Sequence, residues 1–144
     1  MYKRILVPND GSELSKKAVD AALSLARLTG ADLLAISVKE PFPYSAVSEM
    51  QPVPPQEFFD AQERIASERV QTVQDAARAA GRACKGSTVE ALHPWEAILD
   101  YARAEGADLI VMASHGRRGL NALLLGSETQ KVLTHSTLPV LVVR

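Results

Sequence analysis

The sequence LIVMA at residues 109–113 is apolar at every position and is followed at once by SHGRRG at residues 114–119. A short apolar run without alternation, ended by polar and glycine residues, is typical of a β-strand that is buried on both faces. Strands of this kind belong to parallel sheets that carry helices on both sides. Residues 109–113 therefore predict an α/β fold.

The rest of the chain alternates between strand-like and helix-like patterns. Four further strands are predicted, at residues 5–8, 33–38, 85–92 and 140–143, of which 85–92 is partly alternating and resembles an edge strand. Four helices are predicted, from residue 12 to 30, through the apolar stripe at 66–80, from 94 to 106, and from 127 to 135. This order predicts one domain over residues 1–144, with a doubly wound parallel sheet in three α/β/α layers.

Composition sets limits on function. The chain has 144 residues, of which 23% are charged, and a formal net charge of −1, so its overall charge does not indicate nucleic-acid binding. Its single cysteine, Cys84, excludes an internal disulfide and is expected to be a packing residue. The N-terminal MYKR run leads into a strand, without a secretory apolar segment or a membrane-spanning run. We expect a cytoplasmic protein that binds neither nucleic acid nor a membrane.

Residues 39–55 contain five prolines, at positions 41, 43, 52, 54 and 55, and no sustained periodicity. They predict a long loop, and long loops inside a compact domain are usually functional or mobile. Its aromatic residues Phe42 and Tyr44 are candidates for covering a flat ligand.

The residues after strand 109–113 combine several features of an anion site. Three glycines between residues 116 and 126 allow backbone N–H groups to turn toward a ligand. Ser127 offers a hydroxyl and opens a helix whose N-terminus carries partial positive charge. Arg117 and Arg118 add guanidinium groups, which suit phosphate oxygens. Open α/β sheets bind ligands beyond the carboxyl ends of their strands, so we expect the ligand here, although this is not a P-loop motif.

At these residues the sequence resembles the universal stress protein (UspA-like) family, over essentially its full length. ATP-binding members of that family carry Gly-x-x-Gly, nine residues, and then Gly-[Ser/Thr]. The register here is Ala113, Gly116, nine residues, Gly126 and Ser127, so alanine replaces the first glycine. The runs VPNDGS at 7–12, GADLIVM at 106–112 and PVLVV at 139–143 are also similar to the family.

The resemblance implies a Rossmann-like fold of the adenine nucleotide alpha hydrolase type, with strand order 3-2-1-4-5 and a switch point between the first and fourth strands. It implies that ATP binds, with Mg or Mn held through the phosphates. Adenine is then expected near Pro8 and Val38, and ribose and phosphates along residues 113–119 and 127–129. The full set of candidate ligand-binding residues is Pro8, Asn9, Asp10, Val38, Met112, Ala113, Ser114, His115, Gly116, Arg117, Arg118, Gly119, Gly126, Ser127, Glu128 and Thr129.

Two candidate positions have alternative interpretations. Asp10 either lies near the sugar or a phosphate-bound metal, or it is a turn residue that bonds its own backbone or caps the first helix. Alanine at 113 costs nothing if its φ is negative, and about 1–2 kcal/mol if its φ is positive. A methyl group in contact with a phosphate would cost more. If a site exists, Ala113→Gly is expected to strengthen binding.

Three functions fit these residues. The first is an ATP-binding homodimeric regulatory module in stress response, and the second is a slow ATPase or nucleotidyl transferase that uses the same pocket. The third is a dimeric interaction protein that binds no nucleotide. His115 has no acidic neighbour in sequence to orient it as a base. For phosphoryl transfer, the candidate residues therefore offer positive charge for the phosphates but no clear general base. The sequence therefore favours a binding module over an enzyme, with no catalytic residue and no direct metal ligand assigned.

The last predicted strand, Val140 to Val143, is fully apolar although it would lie at the edge of the sheet. An exposed apolar edge invites pairing with another chain. We therefore expect a two-fold homodimer in which the last strands pair, as the resemblance also implies.

Overall fold

The computed structural model describes residues 1–42, 55–117 and 124–144. Its elements, in chain order, are β1 (Arg4–Pro8), α1 (Glu13–Thr29), β2 (Asp32–Lys39), α2 (Gln56–Ala79), β3 (Cys84–Glu90), α3 (Pro94–Glu105), β4 (Leu109–Ala113), α4 (Ser127–His135) and β5 (Val140–Val143). The expected alternation of strands and helices is confirmed. The prediction that β3 reaches Leu92 is wrong, because the strand ends at Glu90.

All five strands are parallel and lie in the order β3-β2-β1-β4-β5, as expected. The chain leaves β1 toward β2 and β3 on one side, and later returns to β4 and β5 on the other. The crossovers therefore part between β1 and β4, which makes the carboxyl ends of these two strands the switch point.

The sheet has a buried face on each side, which explains the unbroken apolar runs. Along β4, Leu109 and Val111 pack in the core beneath α1 and α2, whereas Ile110 and Met112 pack in the core beneath α3 and α4. Because side chains alternate along a strand, Ala113 faces the α1 side. Within the described ranges, no helix is both long enough and apolar enough to cross a membrane.

The two edge strands differ in composition. In β3, Thr88 donates to the Glu63 carboxylate of α2, which also pairs with Lys39 at 2.7 Å. Cys84 begins β3 and packs against the core, and burial raises the pKa of its thiol to about 11, so it is protonated at neutral pH. By contrast, β5 presents only apolar side chains, and Leu141 remains 41% exposed.

Candidate functional site

Asn9, in the turn that follows β1, is buried and bonded within the protein. Its side-chain Nδ2 donates to the backbone carbonyl of Arg69 on α2 at 3.0 Å. Its Oδ1 accepts from the Gly11 backbone N–H at 3.0 Å and from the Ser15 hydroxyl at 2.7 Å. Asn9 therefore joins β1, α1 and α2, and its side chain is engaged by the scaffold.

Asp10 bridges the switch point. Its Oδ1 accepts from the backbone N–H of Ser12 at 2.9 Å, and its Oδ2 accepts from the backbone N–H of Arg117, beyond β4, at 3.1 Å. Burial raises the pKa of Asp10, but the hydrogen bonds from Ser12, Arg117 and Ser15 together hold it below its usual 3.8. The carboxylate is thus ionised at neutral pH. The helix cap is Ser12, whose hydroxyl accepts from Ser15 N–H at 3.1 Å.

Gly116 and Gly126 are required by close approach. A Cβ on Gly116 would lie 2.5 Å from Asp10 Oδ2, and one on Gly126 would lie 2.9 Å from the backbone Cα of His115. Neither has a positive φ. The N–H of Gly126 donates to the Ser114 carbonyl at 2.7 Å, so the expectation that it turns toward a ligand is wrong. These glycines instead fold residues 113–117 tightly against both Asp10 and the start of α4.

Ala113 has no backbone strain, because no non-glycine residue in the described ranges has a positive φ. Its carbonyl accepts from the Thr129 hydroxyl at 2.8 Å, which ties α4 to the end of β4. Its methyl group faces the α1 side of the sheet, whereas α4 packs on the other side. Alanine at this position therefore preserves the backbone that a glycine would adopt.

The first three residues of α4 have different surroundings. Ser127 is exposed, whereas Thr129 is buried and donates its hydroxyl to the Ala113 carbonyl. The Glu128 carboxylate accepts from the backbone N–H of Trp95, at the start of α3, at 2.8 Å. The Trp95 ring also stacks on His135, at the far end of α4, with a centroid distance of 4.4 Å. Of these three, Ser127 alone points its polar group to solvent.

The segment after β4 brings together the other candidates. Ser114 is buried, and its hydroxyl lies 3.2 Å from His115 Nδ1. The Arg117 guanidinium pairs with Glu40, just beyond β2, at 3.1 Å, and so reaches across the end of β1. Arg118 and Gly119 lie outside the described residues.

The candidates for the adenine side lie on three different strands of the sheet. Pro8 pairs with Ile36 at the end of β1, and Val38 and Met112 contribute to the core beneath α3 and α4. Phe42 is buried against Phe58, with ring centroids 5.1 Å apart, so its ring packs at the start of α2. Tyr44 lies outside the described residues.

A cavity of about 440 Å³ opens beside this segment. That volume is within the range of small-molecule pockets. Its lining residues are Ser12, Glu13, Leu14, Lys17, Ser114, His115, Gly116, Arg117 and Arg144. It thus includes candidates 114–117, together with the unpredicted cations Lys17 and Arg144, but neither Pro8 nor Val38.

Sequence reasoning missed Arg69 and Glu40, which the fold brings to the switch point. Arg69 is 59 residues from Asp10 along the chain and belongs to the amphipathic helix α2. Nothing in the sequence of that helix indicates that one of its arginines reaches a binding site. Glu40 sits in the proline-rich stretch, where its pairing with Arg117 has no sequence signature.

The strand order and a polar, glycine-dependent crevice at the switch point define a Rossmann-like α/β protein. The model of the universal stress protein family matches residues 1–144, and the chain belongs to that family.

Known relatives span the chain. A universal stress protein of Thermus aquaticus is 36% identical over 146 residues, covering 100% of both chains. The solved structure of MJ0577, from Methanocaldococcus jannaschii, is 31% identical, with a TM-score of 0.84, and covers 99% of this chain and 96% of that one. A universal stress protein solved in complex with cAMP is 26% identical, with a TM-score of 0.72, covering 99% and 97%.

Proposed function

We propose that residues 1–144 act as one adenine-nucleotide-binding domain, and that the protein is a homodimeric regulatory module of the stress response with ATP as its ligand. The observation that carries this proposal is the close approach of Gly116 to Asp10 and of Gly126 to His115. These contacts give the spacing of the family's ATP-binding motif a physical role in this chain. The related cAMP complex supports an adenine nucleotide as the ligand class.

Ser127 and the N-terminus of α4 would bind phosphate in this proposal. Gly126, as the N-cap residue, has no side chain to cap the helix, so the first N–H groups of α4 can receive an anion. Arg117, which lines the same cavity as Gly116, adds a cation. The Ala113 methyl faces away from α4, which is compatible with a phosphate bound at the start of that helix.

Mg or Mn would be held mainly by the phosphates. Among the described residues, no three His, Cys, Asp or Glu side chains cluster as a metal site. Asp10 is ionised and stands beside Gly116, which fits Mg²⁺, since that ion commonly takes one or two carboxylates together with phosphate oxygens and water. The metal would neutralise phosphate charge at this position.

A binding role is favoured over phosphoryl transfer by the surroundings of His115. Its side-chain partner is the Ser114 hydroxyl, and no carboxylate of the described residues hydrogen-bonds to it. A general base normally requires a group that orients it. We therefore assign His115 to loop packing or nucleotide contact.

The homodimer is proposed through β5. This strand pairs with β4 on one side only, and its outer edge carries half-exposed valines and Leu141. Apolar edges of this kind are normally covered. Sedimentation that shows a monomer at all concentrations would contradict this part of the proposal.

Calorimetry with ATP and magnesium tests the nucleotide site. We expect saturable binding by the wild-type protein and weaker binding by Ser127→Ala, because that change removes an exposed hydroxyl at the start of α4. Ser24→Ala, an exposed serine on α1, is the matched control and should bind like wild type. Absence of heat at millimolar ATP would reject the proposed function.

A further inference from the structure

Arg69, on α2, places a cation at the edge of the proposed site. Its guanidinium lies over the turn after β1, where a Cβ added to Gly11 would come within 2.8 Å of Arg69 Nε. Within residues 1–42, 55–117 and 124–144, this half-buried guanidinium has no hydrogen bond or ion pair. A guanidinium has five N–H donors, and a half-buried one without acceptors is suited to binding an anion.

The position of Arg69 is fixed by the scaffold. Its backbone carbonyl accepts the buried amide of Asn9 at 3.0 Å, so α2 is held against the turn at this residue. Because the backbone of Arg69 is already held in place, the helix loses little conformational freedom when the side chain binds a ligand.

A second cation approaches the same turn from the other side. The Arg117 backbone bonds to Asp10, and its guanidinium pairs with Glu40. Burial first, and then the charge of Arg117, lower the pKa of Arg69, whereas Asp10 and Glu40 oppose that shift. The charges of the two guanidiniums thus repel each other, and a multiply charged anion bound by both would relieve that repulsion.

We propose that Arg69 is a specificity-determining residue that, together with Arg117, binds the outer phosphates of a nucleoside triphosphate. This inference rests on the proposed nucleotide site. In the proposed site, the start of α4 binds the phosphate that a monophosphate also carries. The Arg69 guanidinium lies over Gly11, on a different element from α4, and we assign it to the phosphates that only a longer chain carries. The site then distinguishes ATP from AMP by phosphate number.

The test is the ratio of the AMP and ATP dissociation constants, measured by calorimetry at fixed magnesium for four proteins. These are the wild type, Arg69→Gln, Arg69→Lys and the charge-matched control Arg64→Gln, which removes an exposed arginine from the same helix. We expect the ratio to fall about tenfold in Arg69→Gln, through weaker ATP binding with AMP binding unchanged. The ratio in Arg69→Lys should lie between those of the wild type and Arg69→Gln, because lysine keeps the charge but loses the planar, forked arrangement of N–H donors. Arg64→Gln should match the wild type.

Several results would overturn the inference alone: an unchanged ratio in Arg69→Gln, an equal loss of ATP and AMP binding, the same loss in Arg64→Gln, or a wild type that binds AMP as tightly as ATP. A wild type that binds neither nucleotide would overturn the proposed function, and this inference with it.

Discussion

The turn after β1 (residues 9–12) and the segment after β4 (residues 113–117 with 124–129) leave neighbouring strands at the same edge of the sheet, but they use polar groups differently. In the turn, Asn9, Asp10 and Ser12 all accept backbone N–H groups. In the segment, Ser127 is exposed and Arg117 pairs with a surface carboxylate. Asn9 and Ser12 therefore serve as a scaffold for α1 and α2, whereas the segment retains polar groups for a ligand and Asp10 belongs to both regions.

The largest expected effect is on the scaffold side. Asn9→Ala removes one buried side chain that makes three hydrogen bonds, and we expect the free energy of unfolding to fall by about 3 kcal/mol. Urea denaturation measures this. Gln71→Ala, an exposed amide on α2, should stay within about 0.5 kcal/mol of wild type. If Asn9→Ala kept full stability and lost only ligand binding, the distinction between turn and segment would fail.

Gly126→Ala tests the segment at its contact with the His115 backbone. The added methyl meets the His115 backbone, which cannot rotate away, so we expect about 1–3 kcal/mol of lost stability and a displaced α4 N-terminus. ATP affinity of the folded protein should fall at least about tenfold. Thermal unfolding and calorimetry measure the two effects separately. Unaltered ATP binding would show that α4 does not hold the phosphates.

Asp10 connects the two regions, and its contribution depends on pH. Because its pKa is lowered on folding, its stabilisation is present above the unfolded pKa of about 3.9 and is lost as pH falls through the folded value. Asp10→Asn should therefore be less stable than wild type at about pH 6, and the difference should shrink toward about pH 3. Urea unfolding at both pH values measures it. A difference that grows on acidification would contradict the assigned hydrogen bonds.

Ala113→Gly should have the smallest effect. The expectation that glycine here strengthens binding depended on strain at residue 113 or on contact between its methyl group and a phosphate, and the structure shows no strain. We now expect ATP affinity to change less than about threefold and stability to fall by about 0.5–1 kcal/mol, the usual cost of glycine in a strand. A large gain in affinity would mean that the methyl group meets the ligand after all.

The buried strands were predictable because two covered faces require continuous apolar runs such as residues 109–113. The end of β3 was misplaced because the alternation of a half-exposed edge strand fades gradually into Ala91 and Leu92. The N–H of Gly126 was expected to turn toward a ligand, but it bonds to the Ser114 carbonyl, and close packing is what requires glycine at 116 and 126. Whether Ala113 is strained depends on a backbone angle that no pattern reveals. Arg69 reaches the site only through the register of α2 on the sheet, which is a property of the folded chain.

The contacts of Trp95 give the protein a built-in optical reporter. It is the only tryptophan in the chain, and both ends of α4 contact it, Glu128 through its backbone N–H and His135 through its ring. Any shift of α4 on α3 changes the polarity and the quenching group around this single indole. The fluorescence of Trp95 therefore reports movement of α4, the helix that begins at Ser127, without an attached dye.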